Sequence, residues 1–155
     1  MVTLDNIDKM ILNNLQKNGR LANVDLAENA GISAPPCLRR LKLMEDRKII
    51  MGYHADINPL SLSYFVRAIC IVSLSSQFSA DVKKFLDNIL KSKNIRSCFS
   101  TSGNESFILT IVAKDLQDYE SILKKEIQSS SVVSNIKTYV TLNKHKDDYG
   151  VPIEM

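Results

Sequence analysis

The feature of this chain that most constrains its fold is a change of hydrophobic periodicity near Asn58-Pro59. Before this point, apolar residues recur at three- and four-residue steps, which is typical of amphipathic helices. The first such run comprises Leu4, Ile7, Ile11, Leu12 and Leu15. After this point, strand-like runs alternate with helical ones. The sequence therefore predicts two units of different class, joined by a linker over residues 56–63.

Residues 1–55 are predicted to form a winged helix-turn-helix, a small helical unit with a trailing β segment. The first helix stops at Asn18-Gly19, and the second runs from Asn23, its predicted N-cap, to Asn29. A third helix opens with Pro35-Pro36, which cost least in a first helical turn because proline has no N–H. The β-prone segment 49–55 supplies the wing.

Residues 64–146 are predicted to form a ferredoxin-like βαββαβ sandwich, which makes the whole chain α+β. The order of periodicities repeats in two similar halves, and the residues beyond 146 are read as a C-terminal tail, 147–155. Gly103-Asn104-Glu105 forms the hairpin turn between the second and third strands. The predicted elements are strand 65–74, helix 79–91, strand 95–102, strand 107–113, helix 115–128 and strand 133–142.

The predicted sheet has apolar residues on both faces, although its two helices can cover only one of them. A contiguous apolar patch of that size marks an interface. We therefore expect a homodimer or a larger even-numbered assembly, such as a tetramer or octamer.

The basic character of the first unit is concentrated in the third helix. Ser33 to Lys48 carries five basic residues against two acidic ones. If Leu38, Leu41 and Met44 face the core, then Arg39, Arg40, Lys42 and Leu43 are turned away from it. Adjacent arginines suit guanine edges or phosphates, and Lys42 and Arg47 suit the DNA backbone. The alternative is that this basic face is merely solvated.

Ser33 is predicted to be the N-cap of the third helix, with an unusual consequence. The N–H groups that a capping hydroxyl normally accepts from would belong to Pro35 and Pro36, which have none. The hydroxyl is therefore either available for a DNA phosphate or simply hydrated. The predicted DNA-binding residues are Asn23, Ser33, Pro35, Pro36, Cys37, Arg39, Arg40, Lys42, Leu43 and Arg47.

Other function classes find little support in the composition. The chain has 155 residues, with three cysteines and two histidines that show no metal-ligand spacing, so we expect no disulfide framework, metal or cofactor. No apolar run reaches the roughly 18 residues that span a membrane, and the first residues lack an export signal. We expect a cytoplasmic, nucleoid-associated protein that is not an enzyme.

The chain resembles the Lrp/AsnC family of transcription regulators from Leu4 to about Lys146. The resemblance rests on Leu4-Asp5-Asn6-Ile7-Asp8, Leu26-Ala27, Ser33-Ala34-Pro35-Pro36-Cys37-Leu38-Arg39-Arg40-Leu41, Ile50-Met51-Gly52-Tyr53, Asn58-Pro59 and Lys137-Thr138-Tyr139-Val140. It implies a winged helix-turn-helix joined to a ligand-sensing domain, dimers that build larger assemblies, and regulation by small amino acids.

The resemblance also assigns an effector site, and two departures from the family pattern bear on function. The implied effector-binding residues are Gly103, Asn104, Glu105, Ser106 and Thr138. Ser106 stands where the family tends to have a carboxylate near a bound amino acid, so we expect a shifted or absent amino-acid response. Lys48 stands where the family usually has glycine after the third helix.

The function predicted from the sequence is therefore a sequence-specific transcriptional regulator that binds double-stranded DNA and is modulated by an amino-acid-like effector. The alternative is a nucleoid-organising protein with little sequence specificity and no effector response. The ratio of specific to non-specific DNA affinity, and its salt dependence, distinguish the two.

Overall fold

The computed structural model describes residues 3–75, 79–103, 106–146, 148 and 150–154. It divides into two compact units. The first combines Met1–Asp56 with Lys146–Met155, and the second comprises Ile57–His145. The segment read from the sequence as a C-terminal tail is therefore grouped with the helical unit. Within the described ranges, every helix is too short or too polar to cross a lipid bilayer.

Three helices build the first unit, α1 (Asn6–Lys17), α2 (Asn23–Asn29) and α3 (Ala34–Asp46). Helix α1 begins with a capping box, in which the Asp5 side chain accepts from the Asp8 amide and the Asp8 side chain accepts from the Asp5 amide. This cap was not predicted from the sequence. The buried residues of the unit are Ile11, Leu26, Ala27, Ala30, Cys37 and Met44.

Helix α2 spans the predicted residues, but its N-cap is Ala22 and Asn23 is its first helical residue. The helix ends in a Schellman motif, because the Gly31 amide donates to the Glu28 carbonyl and the Ile32 amide donates to the Ala27 carbonyl, each at 3.0 Å. Gly31 has φ +68°, the left-handed conformation that the motif requires.

Helix α3 ends in a second Schellman motif with lysine in the position of the glycine. The Lys48 amide donates to the Glu45 carbonyl at 3.0 Å, and the Ile49 amide donates to the Met44 carbonyl at 2.9 Å. Lys48 has φ +57°. The helix therefore ends in the usual way, but Lys48 adopts a left-handed conformation that is unfavourable for a residue with a Cβ atom.

The inward stripe of α3 agrees with the predicted one at Leu41 and Met44 and differs from it at Leu38. Cys37 is fully buried and Met44 nearly so, whereas Leu38 is 41% exposed. The prediction that Leu38 faces the core is therefore wrong. The small Cys37 side chain takes the inward position instead, and Arg40 turns inward with it because it lies three residues further along the helix.

The segment after α3 differs from the predicted wing strand. Residues 51–58 contain no assigned strand. The predicted linker contains a 3₁₀ helix, Pro59–Leu62. Asn58 is its N-cap, and the Asn58 side chain accepts a hydrogen bond from the Leu60 amide.

The second unit has the predicted topology. Its elements are β1 (Val66–Leu74), α4 (Ser79–Lys91), β2 (Ile95–Ser100), β3 (Phe107–Ala113), α5 (Leu116–Ile122), a π-helical continuation (Leu123–Gln128) and β4 (Val133–Val140). The four antiparallel strands lie in the order β2-β3-β1-β4. Alternate residues of β1 pack against both helices in one core, with Ala68, Cys70 and Val72 fully buried.

The opposite face of the sheet carries exposed apolar side chains. Ile69 pairs with Thr110 of β3 and with Tyr139 of β4, so these residues share that face. Ile69 is 38% exposed, Tyr139 57% and Phe99 63%. We call Ile69, Phe99 and Tyr139 the outer sheet patch.

Lys48→Gly should stabilise the protein by about 1 kcal/mol relative to Lys48→Ala, because both remove the charge and only glycine adopts positive φ without strain. Urea denaturation at a fixed protein concentration measures the difference. Gly31→Ala, at the equivalent position after α2, should destabilise by a similar amount. Equal stability of the two Lys48 variants would refute the assignment of strain.

Candidate functional site

Helix α3 presents a continuous exposed face, which we call the α3 outer face. Its exposed residues recur at three- and four-residue steps along 13 helical residues. They are Pro35, Leu38, Arg39, Lys42, Leu43, Asp46 and Arg47. The face thus combines three cations and one carboxylate, that of Asp46, with two leucines. Its cations suit phosphates and guanine edges, and its leucines suit thymine methyl groups. Leu38 was not among the predicted contacts, because its apolar character assigned it to the core.

The predicted state of Ser33 is confirmed. Ser33 is the N-cap of α3 with extended backbone, and its side chain makes no capping hydrogen bond. Pro35 and Pro36 occupy the second and third helical positions, so the usual N–H partners do not exist. The exposed hydroxyl lies at the positive end of the helix dipole, where an anion is favoured.

Arg40 does not point away from the unit as predicted. Its guanidinium lies 2.7 Å from Asp5 Oδ2 and 2.8 Å from Asp8 Oδ1. The side chain of Arg40 is 27% exposed and that of Asp8 is 16% exposed. One arginine therefore links the middle of α3 to the capping box of α1.

The ionisation of this cluster reflects the same contacts. The hydrogen bond from the Asp8 amide, and then that from Arg40, hold the pKa of Asp5 below its usual range. The hydrogen bonds to Asp8 and Asp5 raise the pKa of Arg40. Asp5 and Arg40 therefore both favour their charged forms in the fold.

Two other predicted DNA contacts have structural roles. The Asn23 side-chain amide donates to the Ala34 carbonyl at 2.8 Å and so joins the start of α2 to the start of α3. Cys37 cannot present its thiol to DNA because the side chain is fully buried. Burial raises the pKa of the Cys37 thiol, which keeps it protonated and unreactive.

Tyr53 joins the segment after α3 to the helix itself. Its hydroxyl donates to Glu45 Oε1 at 2.9 Å. Burial, followed by the hydrogen bond and charge of Glu45, raises the pKa of Tyr53 to about 12. The contact holds the wing segment against α3 although no strand forms there.

The hairpin side of the predicted effector site is only partly visible. Asn104 and Glu105 lie outside the described residues, and Gly103 is exposed. The Ser106 hydroxyl accepts a hydrogen bond from the Leu74 amide at 3.1 Å, and the Ser106 amide donates to the Val72 carbonyl at 2.9 Å. Ser106 therefore fastens the start of β3 to the end of β1.

Thr138 lies elsewhere on the sheet. It pairs with Cys70 in the middle of β1, and its hydroxyl shares a 2.7 Å hydrogen bond with the Tyr119 hydroxyl of α5. Ser106 directly precedes β3, which pairs with one edge of β1, whereas Thr138 lies in β4, which pairs with the other edge. The structure thus does not bring Thr138 next to Ser106. In the part of the chain that is described, no three His, Cys, Asp or Glu side chains are grouped as metal ligands.

A helix-turn-helix with an exposed basic helix is typical of DNA-binding proteins, and here a sheet unit with two helices on one face follows it in the chain. Residues 4–51 match a winged helix-turn-helix DNA-binding domain, and residues 67–151 match the Lrp/AsnC ligand binding domain. The chain belongs to the Lrp/AsnC family and is a transcriptional regulator.

Named relatives and solved structures agree with this assignment over nearly the whole chain. The leucine-responsive regulatory protein of Rhizobium meliloti is 38% identical over 98% of this chain and 97% of its own. The leucine-responsive regulatory protein of Escherichia coli K12 is 32% identical over 97% of this chain and 92% of its own. A Neisseria meningitidis transcriptional regulator, solved in complex with L-Met, has TM-score 0.92 and 31% identity, covering 97% of both chains.

Asp8→Asn should destabilise the protein by about 1 kcal/mol, because Arg40 then loses a charged partner whose side chain is only 16% exposed. Urea denaturation of the full chain measures the loss, and Glu28→Gln on the exposed surface of α2 is the charge-matched control. If both variants are equally stable, the Arg40 linkage does not hold α3 in place.

The same linkage predicts a pH dependence. Because the pKa of Asp5 is lowered in the fold, the stabilisation from its carboxylate is present above the pKa of the unfolded chain and is lost as pH falls through the lowered value. A melting-temperature profile in acid should therefore be flatter for Asp5→Asn than for the wild type.

Proposed function

We propose that the α3 outer face enters the DNA major groove, with Arg39, Lys42 and Arg47 as its cations. The observation that carries the proposal is the continuous exposure of this face along the helix. Arg40 is not part of the face, because its side chain contacts Asp5 and Asp8. Leu38 and Leu43 supply apolar contacts of the kind that recognise thymine methyl groups. Ser33 offers its uncapped hydroxyl to a phosphate.

Arg39→Gln should weaken binding to duplex DNA and reduce the slope of log affinity against log salt by about 1 if Arg39 neutralises a phosphate. Fluorescence anisotropy with a labelled duplex over a range of KCl concentrations measures both quantities. Lys83→Gln on the exposed surface of α4 is the control and should leave the slope unchanged.

The same titration tests the alternative of a nucleoid-organising protein. If Arg39 reads a base, its loss relaxes specificity at one position by roughly 1–3 kcal/mol. A wild-type protein that binds all duplexes alike would favour the nucleoid-organising function instead. A wild type that does not bind any duplex at low salt would contradict both.

We also propose that two copies pair through the outer sheet patch. Ile69 lies at its centre, bonded through the backbone to strands on both sides, and an exposed apolar patch of this kind favours a symmetric partner. A dimer would place two α3 helices about one DNA turn apart, roughly 34 Å, on a pseudo-palindromic site.

Ile69→Asp should convert the assembly to 17.4 kDa monomers in sedimentation experiments, because a carboxylate would be buried without a partner in the interface. Leu90→Asp is the matched control, since Leu90 is an exposed leucine of α4 and should leave the mass unchanged. A wild type that sediments as a monomer at micromolar concentration would contradict the proposal.

We propose that the sheet unit binds a small amino acid near the Gly103–Ser106 hairpin, with a weakened response. The domain match and the L-Met complex of the Neisseria meningitidis protein support an amino-acid effector. The Ser106 hydroxyl already accepts from the Leu74 amide, and it has no charge to offer an α-ammonium group. This regulator acts in the cytoplasm at the nucleoid, and no catalytic step or cofactor is part of the proposal.

Ser106→Asp should tighten binding of L-leucine or L-methionine by roughly 10- to 100-fold, because a carboxylate can keep the Leu74 hydrogen bond and add a charge-assisted one to the ligand. Isothermal calorimetry measures the affinities. Ser106→Asn has the same shape without the charge and should resemble the wild type. Tight binding by the wild type with no gain in Ser106→Asp would contradict the assignment.

A further inference from the structure

The described part of the C-terminal segment, residues 150–154, packs with the DNA-binding unit although it follows the sheet unit in sequence. The chain passes from the first unit to the second after Asp56 and returns to the first unit at Lys146. The return follows β4, which ends at Val140. The two units are thus joined by two covalent connections rather than by one linker.

Gln16 of α1 holds this segment by both ends of its amide group. The Val151 amide donates to Gln16 Oε1 at 2.7 Å, and Gln16 Nε2 donates to the Val151 carbonyl at 3.0 Å. A side-chain amide that pairs with both the N–H and the C=O of one residue reproduces the exchange of hydrogen bonds between paired residues in a sheet. The segment is therefore held in a defined register.

Gly150 makes this close approach possible. It has φ +90°, a conformation that other residues adopt only with strain. A Cβ atom at this position would also overlap the end of the Gln16 side chain and would push its amide group away from Val151. The backbone conformation therefore favours glycine, and the contact between Gln16 and Val151 depends on it.

The segment forms one wall of a groove of about 1040 Å³ in the same unit. The other lining residues come mainly from α1 and from the segment after α3. The apolar ones include Leu12, Leu15, Ile49, Ile50, Met51 and Tyr53, and the charged residues Lys9, Lys17 and Asp56 also line the groove. Ile153 is the half-buried member of the C-terminal segment, whereas Val151 and Pro152 are exposed.

We propose that α1 and residues 49–53 form a docking surface for residues 150–154 of the same chain, and that this C-terminal clasp stabilises α1 within the DNA-binding unit. The two hydrogen bonds of Gln16 and the half-buried side chain of Ile153 are the contacts that support the proposal. This inference depends on the contacts within the first unit and not on DNA binding.

Hydrogen exchange followed by mass spectrometry on the full chain tests the clasp. In the wild type, the peptide containing Val151 should exchange roughly tenfold more slowly than an unstructured peptide, as a net hydrogen bond provides. Gln16→Ala and Gly150→Ala should each restore the unstructured rate. Both should also speed exchange in the α1 peptide, and neither should change exchange in the β3 peptide.

Asn13→Ala is the matched control, because it removes an amide from the same helix without touching the clasp. It should leave exchange at Val151 unchanged. Unprotected exchange at Val151 in the wild type would overturn the proposal, and so would protection that survives both Gln16→Ala and Gly150→Ala. Release of Val151 without faster exchange in α1 would show that the segment does not support the DNA-binding unit.

Discussion

The interaction on which the DNA-binding unit depends is the linkage of Arg40 to Asp5 and Asp8. It joins the recognition helix to the capped start of α1, while Cys37 and Met44 bury the adjacent stripe of the same helix. With the inward face occupied in this way, the remaining cations of α3 are directed to solvent. Arg40 therefore orients α3, and its exposed neighbour Arg39 is the arginine that we propose contacts DNA.

Periodicity and turn chemistry were enough to predict the helices, the four strands and their ferredoxin-like arrangement, because these depend on local patterns that the sequence displays directly. The inward residue at the start of α3 was not predictable in this way. Leucine is the more apolar residue, so Leu38 was assigned to the core, but the smaller Cys37 occupies the inward position. Cys37, Leu41 and Met44 form the inward stripe, and Arg40 lies beside this stripe, where it contacts Asp5 and Asp8.

Contacts between residues distant in sequence were also beyond the sequence analysis. The partners of Arg40 lie more than thirty residues away, and Gln16 and Val151 are separated by 135. Neither pair belongs to a motif with characteristic spacing. By contrast, the uncapped hydroxyl of Ser33 was predictable, since it follows from the two prolines within a few residues. For Lys48 the family resemblance indicated only that glycine is usual at that position, and the structure shows that lysine adopts the positive φ there.

The measurement that tests the central claim most directly is DNA affinity after Arg40 has been released from its carboxylates. The double variant Asp5→Asn/Asp8→Asn removes both carboxylates, and circular dichroism checks that it is folded. Its affinity for DNA should be no higher than that of the control Asp25→Asn/Glu28→Gln, which removes the same number of charges. The reason is that α3 has lost the contacts that orient it, so the released Arg40 does not improve DNA binding. A DNA affinity about tenfold above that of the control would mean that Arg40 binds DNA once it is released from the two carboxylates. This result would contradict its role in orienting α3.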